Sequence, residues 1–164
     1  MKLREESRDV FSVPEEYYLA HCVSSDFALG AGIAVQFASR FGTRDALRSQ
    51  FPWYERYWTE RAGFNKDGVF GDCLMAGRVL NLVTKRSYWN KPTYASMRMA
   101  LEAMKRIALK KGVKRIAMPR IGCGLDRLDW PQVRSLIQDV FGDTDIEILV
   151  CEKYPRTNSR DGGR

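Results

Sequence analysis

The 164 residues carry 27 basic and 20 acidic side chains, a net charge of +7, and 45 % of them are hydrophobic. That composition suits one domain with a sizeable core and includes no apolar run near the ~18 residues of a membrane span, which excludes disordered, fibrous and transmembrane classes. The positive surplus favours polyanionic partners, nucleotides and nucleic acids alike.

The chain opens with Met1-Lys2-Leu3-Arg4-Glu5-Glu6, which lacks the apolar stretch of a secretory signal, so an intracellular setting, cytoplasmic or nuclear, is expected. Leu3 to Ser7 reads as a short strand, and Tyr17 to Val23 as a buried one entered through Pro14. Gly30-Ala31-Gly32 then opens a helix in which Ile33, Ala34, Phe37 and Phe41 share a face, ending near Gly42, with a second short helix over 43–50. Residues 51–77, with Phe51, Trp53, Tyr54, Tyr57 and Trp58 followed by four glycines, predict a turn-rich aromatic insertion centred on 51–65.

Val79 to Thr84 is a central strand ending at Lys85-Arg86. Thr93 is the expected N-cap of a long helix whose inner face is Met97, Ala100, Leu101, Met104, Ile107 and Ala108. Arg98, Glu102 and Arg106 are spaced for i,i+4 pairs outside, and Gly112 ends the helix. Val113 to Met118 is a strand, Pro119 to Asp126 a loop, Asp129 the cap of a helix ending at Gly142, and Ile146 to Cys151 a last strand. The expected domain is 1–153, followed by a disordered basic tail over 154–164 with nothing apolar to bury. Cys22, Cys73, Cys123 and Cys151 form no CxxC pair and His21 is alone, so reduced thiols are expected, with no metal and no cofactor.

Strands alternating with helices predict an α/β fold, a three-layer α/β/α sandwich around a mixed, largely parallel sheet. Ligands then gather where loops leave the strands' carboxyl ends, which selects 24–33, 84–94 and 119–126. Gly30-Ala31-Gly32 and Gly122-Cys123-Gly124 would let backbone N–H groups approach a diphosphate, and they serve tight turns equally well. Neither is a GxGxxG or a P-loop. Lys85-Arg86 alone reads as a solvated strand end, Asp126 as a turn residue, and His21 as a structural histidine.

Taken together, His21-Cys22-Val23-Ser24-Ser25-Asp26, Gly30 to Val35, Thr84-Lys85, Lys91-Pro92-Thr93-Tyr94 and Met118 to Leu128 resemble, in this order, the macrodomains of the terminal ADP-ribose protein glycohydrolase type. The resemblance covers roughly 3–153 apart from the aromatic segment. It implies a macrodomain-like fold, an ADP-ribose pocket and removal of ADP-ribose from acidic side chains of modified proteins. By that resemblance Asp9, followed by Val10, meets adenine; Ser24 and Gly30, Ala31, Gly32 and Ile33 surround the distal ribose. Arg120, Ile121, Gly122, Cys123, Gly124 and Leu125 wrap the diphosphate and that ribose, Lys85 is the nucleophile and Asp126 the catalytic aspartate. A neutral lysine amine is a competent nucleophile toward the anomeric or ring-opened carbon of such an ester. Arg8 stands where these relatives have Gly, which directs a bulky side chain to the adenine end, and Ser25 stands where an acidic residue is common.

The implied partners are ADP-ribose and ADP-ribosylated proteins, with weak nucleic-acid or poly(ADP-ribose) contact through the basic surface and no membrane. Three other readings compete: a non-catalytic ADP-ribose or poly(ADP-ribose) reader, a deacylase of O-acetyl-ADP-ribose, and a hydrolase of ADP-ribosylated nucleic acid. Lys85 together with Asp126 argues for catalysis over reading.

Overall fold

The computed structural model describes residues 1–153, so the expected basic tail lies outside the described residues. Its strands are β1 (Lys2–Glu6), β2 (Tyr18–Ser24), β3 (Asp72–Ala76), β4 (Val79–Lys85), β5 (Arg115–Met118) and β6 (Glu147–Cys151). Its helices are α1 (Ile33–Phe41), α2 (Thr43–Gln50), α3 (Tyr54–Phe64), α4 (Tyr94–Lys111) and α5 (Trp130–Phe141), with a 3-10 turn at Val10–Ser12. The strands form one sheet in the order β1-β6-β5-β2-β4-β3. All neighbours are parallel except β3, which returns antiparallel beside β4.

Period-two patterning divides the strand residues between two apolar layers. Leu80, Leu82, Ile116, Met118, Ile148 and Val150 turn toward α4 and α5. Leu19, Val79, Ala117 and Leu149 turn the other way, onto Phe37 of α1. A third cluster joins Tyr54, Trp58 and Ala62 of α3 to Phe27, Leu29 and Leu47. Both sheet faces are therefore covered, and the expected three layers are present.

Helix ends follow their capping chemistry. Thr93 and Ser96 close a reciprocal capping box, each side chain accepting the other's N–H at 3.0 Å, and Gly112 ends α4 in the left-handed region at φ 70. Three expectations are corrected. The aromatic stretch forms a helix, α3, because Tyr54, Trp58 and Ala62 recur one turn apart and bury together. Arg98 pairs across to Asp139 of α5 at 2.9 Å instead of with Glu102, since the neighbouring helix brings a carboxylate within reach. Asp129 starts α5 without a side-chain cap; its own N–H donates to the Tyr94 hydroxyl at 2.9 Å. No helix among the described residues is long and apolar enough to cross a membrane.

Candidate active site

Five parallel strands point the same way, so the segments that follow them share one edge of the sheet. Asp9 follows β1, Lys153 follows β6, Arg120 follows β5, Ser24 ends β2 and Lys85 ends β4. Strand order makes that the spatial order across the edge. A cleft of about 660 Å³ lies over the β1, β6 and β5 part of that edge, lined among others by Asp9, Phe11, Ile33, Arg120, Gly124 and Trp130; Lys85 and Asp126 stand outside its lining, farther along the edge. A smaller depression of about 270 Å³ between α1 and α2 has no connection to the strand ends.

At the β1 end, Asp9 caps the 3-10 turn. The Phe11 N–H donates to its Oδ1 at 2.9 Å, and Lys153 Nζ lies 3.3 Å from Oδ2. The Phe11 N–H above all, helped by Lys153, holds the Asp9 carboxyl below its usual range against the opposing effect of burial. Ser12 and Glu6 hold the Arg8 guanidinium beside this end, at 3.1–3.3 Å. Arg120 reaches Glu152 at 3.0 Å and lies 5.5 Å from the centre of the Trp130 ring, while Glu5 accepts from Trp130 Nε1 at 2.9 Å. This guanidinium is thus committed to a rim network, and the Arg120 Nε is buried without a hydrogen-bond partner among the described residues.

Midway along the edge two glycine loops touch. A Cβ on Gly32 would lie 3.4 Å from Leu125 Cδ1, and the φ of +60 with ψ of −148 is a conformation that glycine alone adopts readily. Gly32 caps α1 without a side-chain bond, so the first N–H groups of α1 are available to an anion. The preceding loop bends through Phe27 and Leu29 at φ of 52 and 43. Burial of both side chains sustains that bend, as do the Arg44 guanidinium bonds to the Ala28 and Leu29 carbonyls at 2.8 and 2.9 Å. Asp26 ties this loop to the next, accepting from the Ser24 hydroxyl and Ala28 N–H on Oδ1 and from the Tyr88 N–H on Oδ2.

Toward the β4 end, Lys85 Nζ donates to Asp126 Oδ1 at 2.7 Å, with side chains 14 % and 15 % exposed. Ser25 binds the Lys85 and Arg86 carbonyls through its N–H and hydroxyl, which ties the end of β2 to the end of β4. Lys91 donates to the Leu125 carbonyl at 2.8 Å and holds the Asp126 loop against the 86–93 loop. The Cys22 thiol is pushed up by burial, then by the Asp126 charge, so beside this pair it stays protonated and unreactive.

Of the residues singled out in the sequence, Asp9, Val10, Ile33, Arg120, Cys123 and Gly124 line the cleft. Gly30 and Ala31 are exposed on the loop before α1, and Lys85 meets Asp126. Ser24 and Ile121 are buried behind that surface, and Gly122, at φ 72, packs on Met97 and Leu128. Sequence reasoning did not find Asp26, Phe11 or Trp130. Asp26 alone left a local signal, an aspartate two residues before a backbone N–H it can bind.

The human and bovine proteins named ADP-ribose glycohydrolase OARD1 are each 43 % identical to this chain over 142 residues, 87 % of it and 86 % of theirs. An uncharacterized protein, 032R, of Invertebrate iridescent virus 6 is 35 % identical over 72 residues, 44 % of this chain and 72 % of that one. Among solved structures, the macrodomain of Thermus aquaticus DarG superposes with a TM-score of 0.71 at 24 % identity, covering 92 % of this chain and 97 % of that one. Thermosipho africanus DarTG, solved in complex with ADP-ribose, gives 0.69 at 18 % identity, covering 98 % of this chain and 44 % of that one. No protein-family model matches the chain.

Proposed function

The chain belongs to the family of OARD1-type ADP-ribose glycohydrolases, and from that premise we propose that it releases ADP-ribose from acidic side chains of modified proteins, with Lys85 as nucleophile and Asp126 as its proton partner. The observation that carries the reading is the 2.7 Å Lys85–Asp126 contact, set at the far end of the strand edge from Asp9. A cleft of about 660 Å³ is of the right size for a nucleotide-sized ligand. In this reading adenine lies against Asp9 and Val10, and the α1 N-terminus and the backbone of Gly124 and Leu125 receive the diphosphate. The distal ribose lies against the loop that opens α1 and the Asp126 loop, on the Lys85 side of the Gly32–Leu125 contact, with its anomeric carbon toward Lys85.

The reaction then follows from the pair. Lys85 Nζ passes a proton to Asp126 along the existing hydrogen bond, and the freed lone pair bonds to the anomeric carbon. The ester C–O bond breaks with its electrons on the acceptor oxygen, which takes the proton from Asp126 and leaves as the carboxylic acid. Asp126, again a carboxylate, removes a proton from water as the water oxygen bonds to the same carbon. The C–N bond breaks toward Nζ, and Asp126 returns its proton to the amine. An intracellular setting, cytoplasmic or nuclear, belongs to this reading and is supported by the free thiols of Cys22, Cys73, Cys123 and Cys151, none of them in a disulfide among the described residues.

Asp126→Ala tests the reading, because it leaves the nucleophile and removes the group that resolves the adduct. Incubated with a protein ADP-ribosylated on glutamate, this variant should gain one ADP-ribose by intact mass, mapped to Lys85, while Lys85→Ala should show neither adduct nor turnover. Normal turnover by Lys85→Ala would defeat the nucleophile assignment. Absence of turnover by the native protein, with ADP-ribose binding intact by calorimetry, would make it a reader.

A further inference from the structure

Beyond Lys85 the chain places two aromatic side chains in the open, Tyr88 at 64 % and Trp89 at 68 % exposure. They are held in a tight turn: the Asn90 N–H donates to the Ser87 carbonyl at 3.0 Å, and the Ser87 N–H to Asn90 Oδ1 at 2.9 Å. The Tyr88 N–H is itself anchored on Asp26 at 3.1 Å. A rigid turn that exposes two large rings gives up burial of a Trp and a Tyr, the residue types that most often anchor protein interfaces.

Position says which side of the substrate they meet. Across the sheet edge the order runs from Asp9 to Lys85, and the turn follows Lys85, at the end opposite Asp9. With ADP-ribose laid along the strand edge from Asp9 to Lys85, that end belongs to the leaving group and the chain that bears it. We propose that Tyr88 and Trp89 form the docking platform for the acidic polypeptide segment that carries the modified residue, a proposal that rests on the function argued above.

Geometry and charge favour that occupant. The two rings stand edge-to-face, centroids 5.0 Å apart and 87° between planes. Successive nucleobases need successive parallel faces, which a perpendicular pair does not offer, whereas a peptide side chain or backbone turn fits the angle between the rings. Exposed Leu125, its carbonyl bound by Lys91, adds an apolar contact on the Asp126 loop. Arg86 and Arg127 are exposed and form no ion pair among the described residues, so the positive rim complements a segment rich in Glu and Asp.

The test compares three substrates on the full chain: an acidic peptide of about ten residues ADP-ribosylated on a central glutamate, the ADP-ribosyl ester of glutamate alone, and an ADP-ribosylated oligonucleotide. Trp89→Ala should raise the KM for the peptide about tenfold, with kcat, turnover of the single-residue ester and ADP-ribose affinity unchanged. Trp89→Phe should retain most of the native KM, and Tyr88→Ala should act in the same direction as Trp89→Ala. Equal losses on peptide and single-residue ester would make the turn a support for Lys85 and overturn the platform. So would an unchanged peptide KM, or a loss confined to the oligonucleotide. A native protein that leaves both glutamate esters intact would overturn the reaction itself, and the platform with it.

Discussion

Gly122 and Gly124 lie two residues apart in one loop, yet replacing each by alanine should give opposite outcomes. At Gly122 the φ is +72, and an added Cβ would stand 2.7 Å from Met97 Cε and 3.0 Å from Leu128 Cδ1. Holding an L-residue in the left-handed region costs roughly 1–2 kcal/mol. Met97 is fully buried, so although its methyl is the flexible end of the side chain, displacing it and Leu128 adds about 1 kcal/mol. The sum of about 2–3 kcal/mol, spread over a domain of this size, should lower Tm by roughly 5–10 °C. At Gly124 the φ is not positive and nothing lies within 4 Å of a notional Cβ, so Gly124→Ala should melt with the native protein. Gly124 lines the cleft, however, and a methyl there should weaken ADP-ribose binding about tenfold by holding the ligand off the backbone. Thermal unfolding followed by circular dichroism and calorimetric titration with ADP-ribose read both quantities. A native Tm for Gly122→Ala, or an early melt with native affinity for Gly124→Ala, would refute the division of roles.

Asp9→Ala removes both the N-cap and the Lys153 pair, and should cost about 1 kcal/mol of stability together with roughly tenfold in ADP-ribose affinity. Because the folded carboxyl titrates below its usual 3.8, the stabilisation is present above that pH and lost as pH falls through the lower folded value. The native and variant urea midpoints should therefore converge only below about pH 4. His21 is fully buried, stacked on Phe37 at 3.9 Å and bonded to Asn81 at 2.7 Å, and burial brings its pKa down from 6.5 to about 4. The unfolded chain then binds the proton first, so stability should decline as pH falls from 6.5 toward 4, by about 3 kcal/mol in all. His21→Gln should flatten that slope in urea titrations across the same window; an unaltered slope would remove His21 as its cause.

Most of the frame was legible because its signals are local. Period-two and period-3.6 patterning located five of the six strands and α1, α2, α4 and α5, and Thr93 and Gly112 announced the ends of α4 through backbone chemistry confined to a few residues. Segment 51–77 was not legible: α3 and β3 take their burial from Phe27, Leu29, Leu47 and Val83, partners distant in the chain that periodicity does not register. The Arg98–Asp139 pair was missed for the same reason.

The candidate site divides along the same line. Lys85 and Asp126, 41 residues apart, could be named from the sequence by resemblance, but the 2.7 Å hydrogen bond between them exists because β4 and the loop after β5 end on the same edge of one sheet. Asp26 became a hub only when folding carried Tyr88 to it. Gly122 and Gly124 were indistinguishable as letters, since the difference lies in a dihedral angle and in Met97, a neighbour 25 residues away in the chain. Composition and periodicity determined which residues are buried and which segments are helix or strand, because those depend on transfer to water and on backbone geometry within a few residues. Which polar groups meet, and which glycine faces the cleft and which the core, depends on contacts between distant segments, and only the tertiary structure decided it.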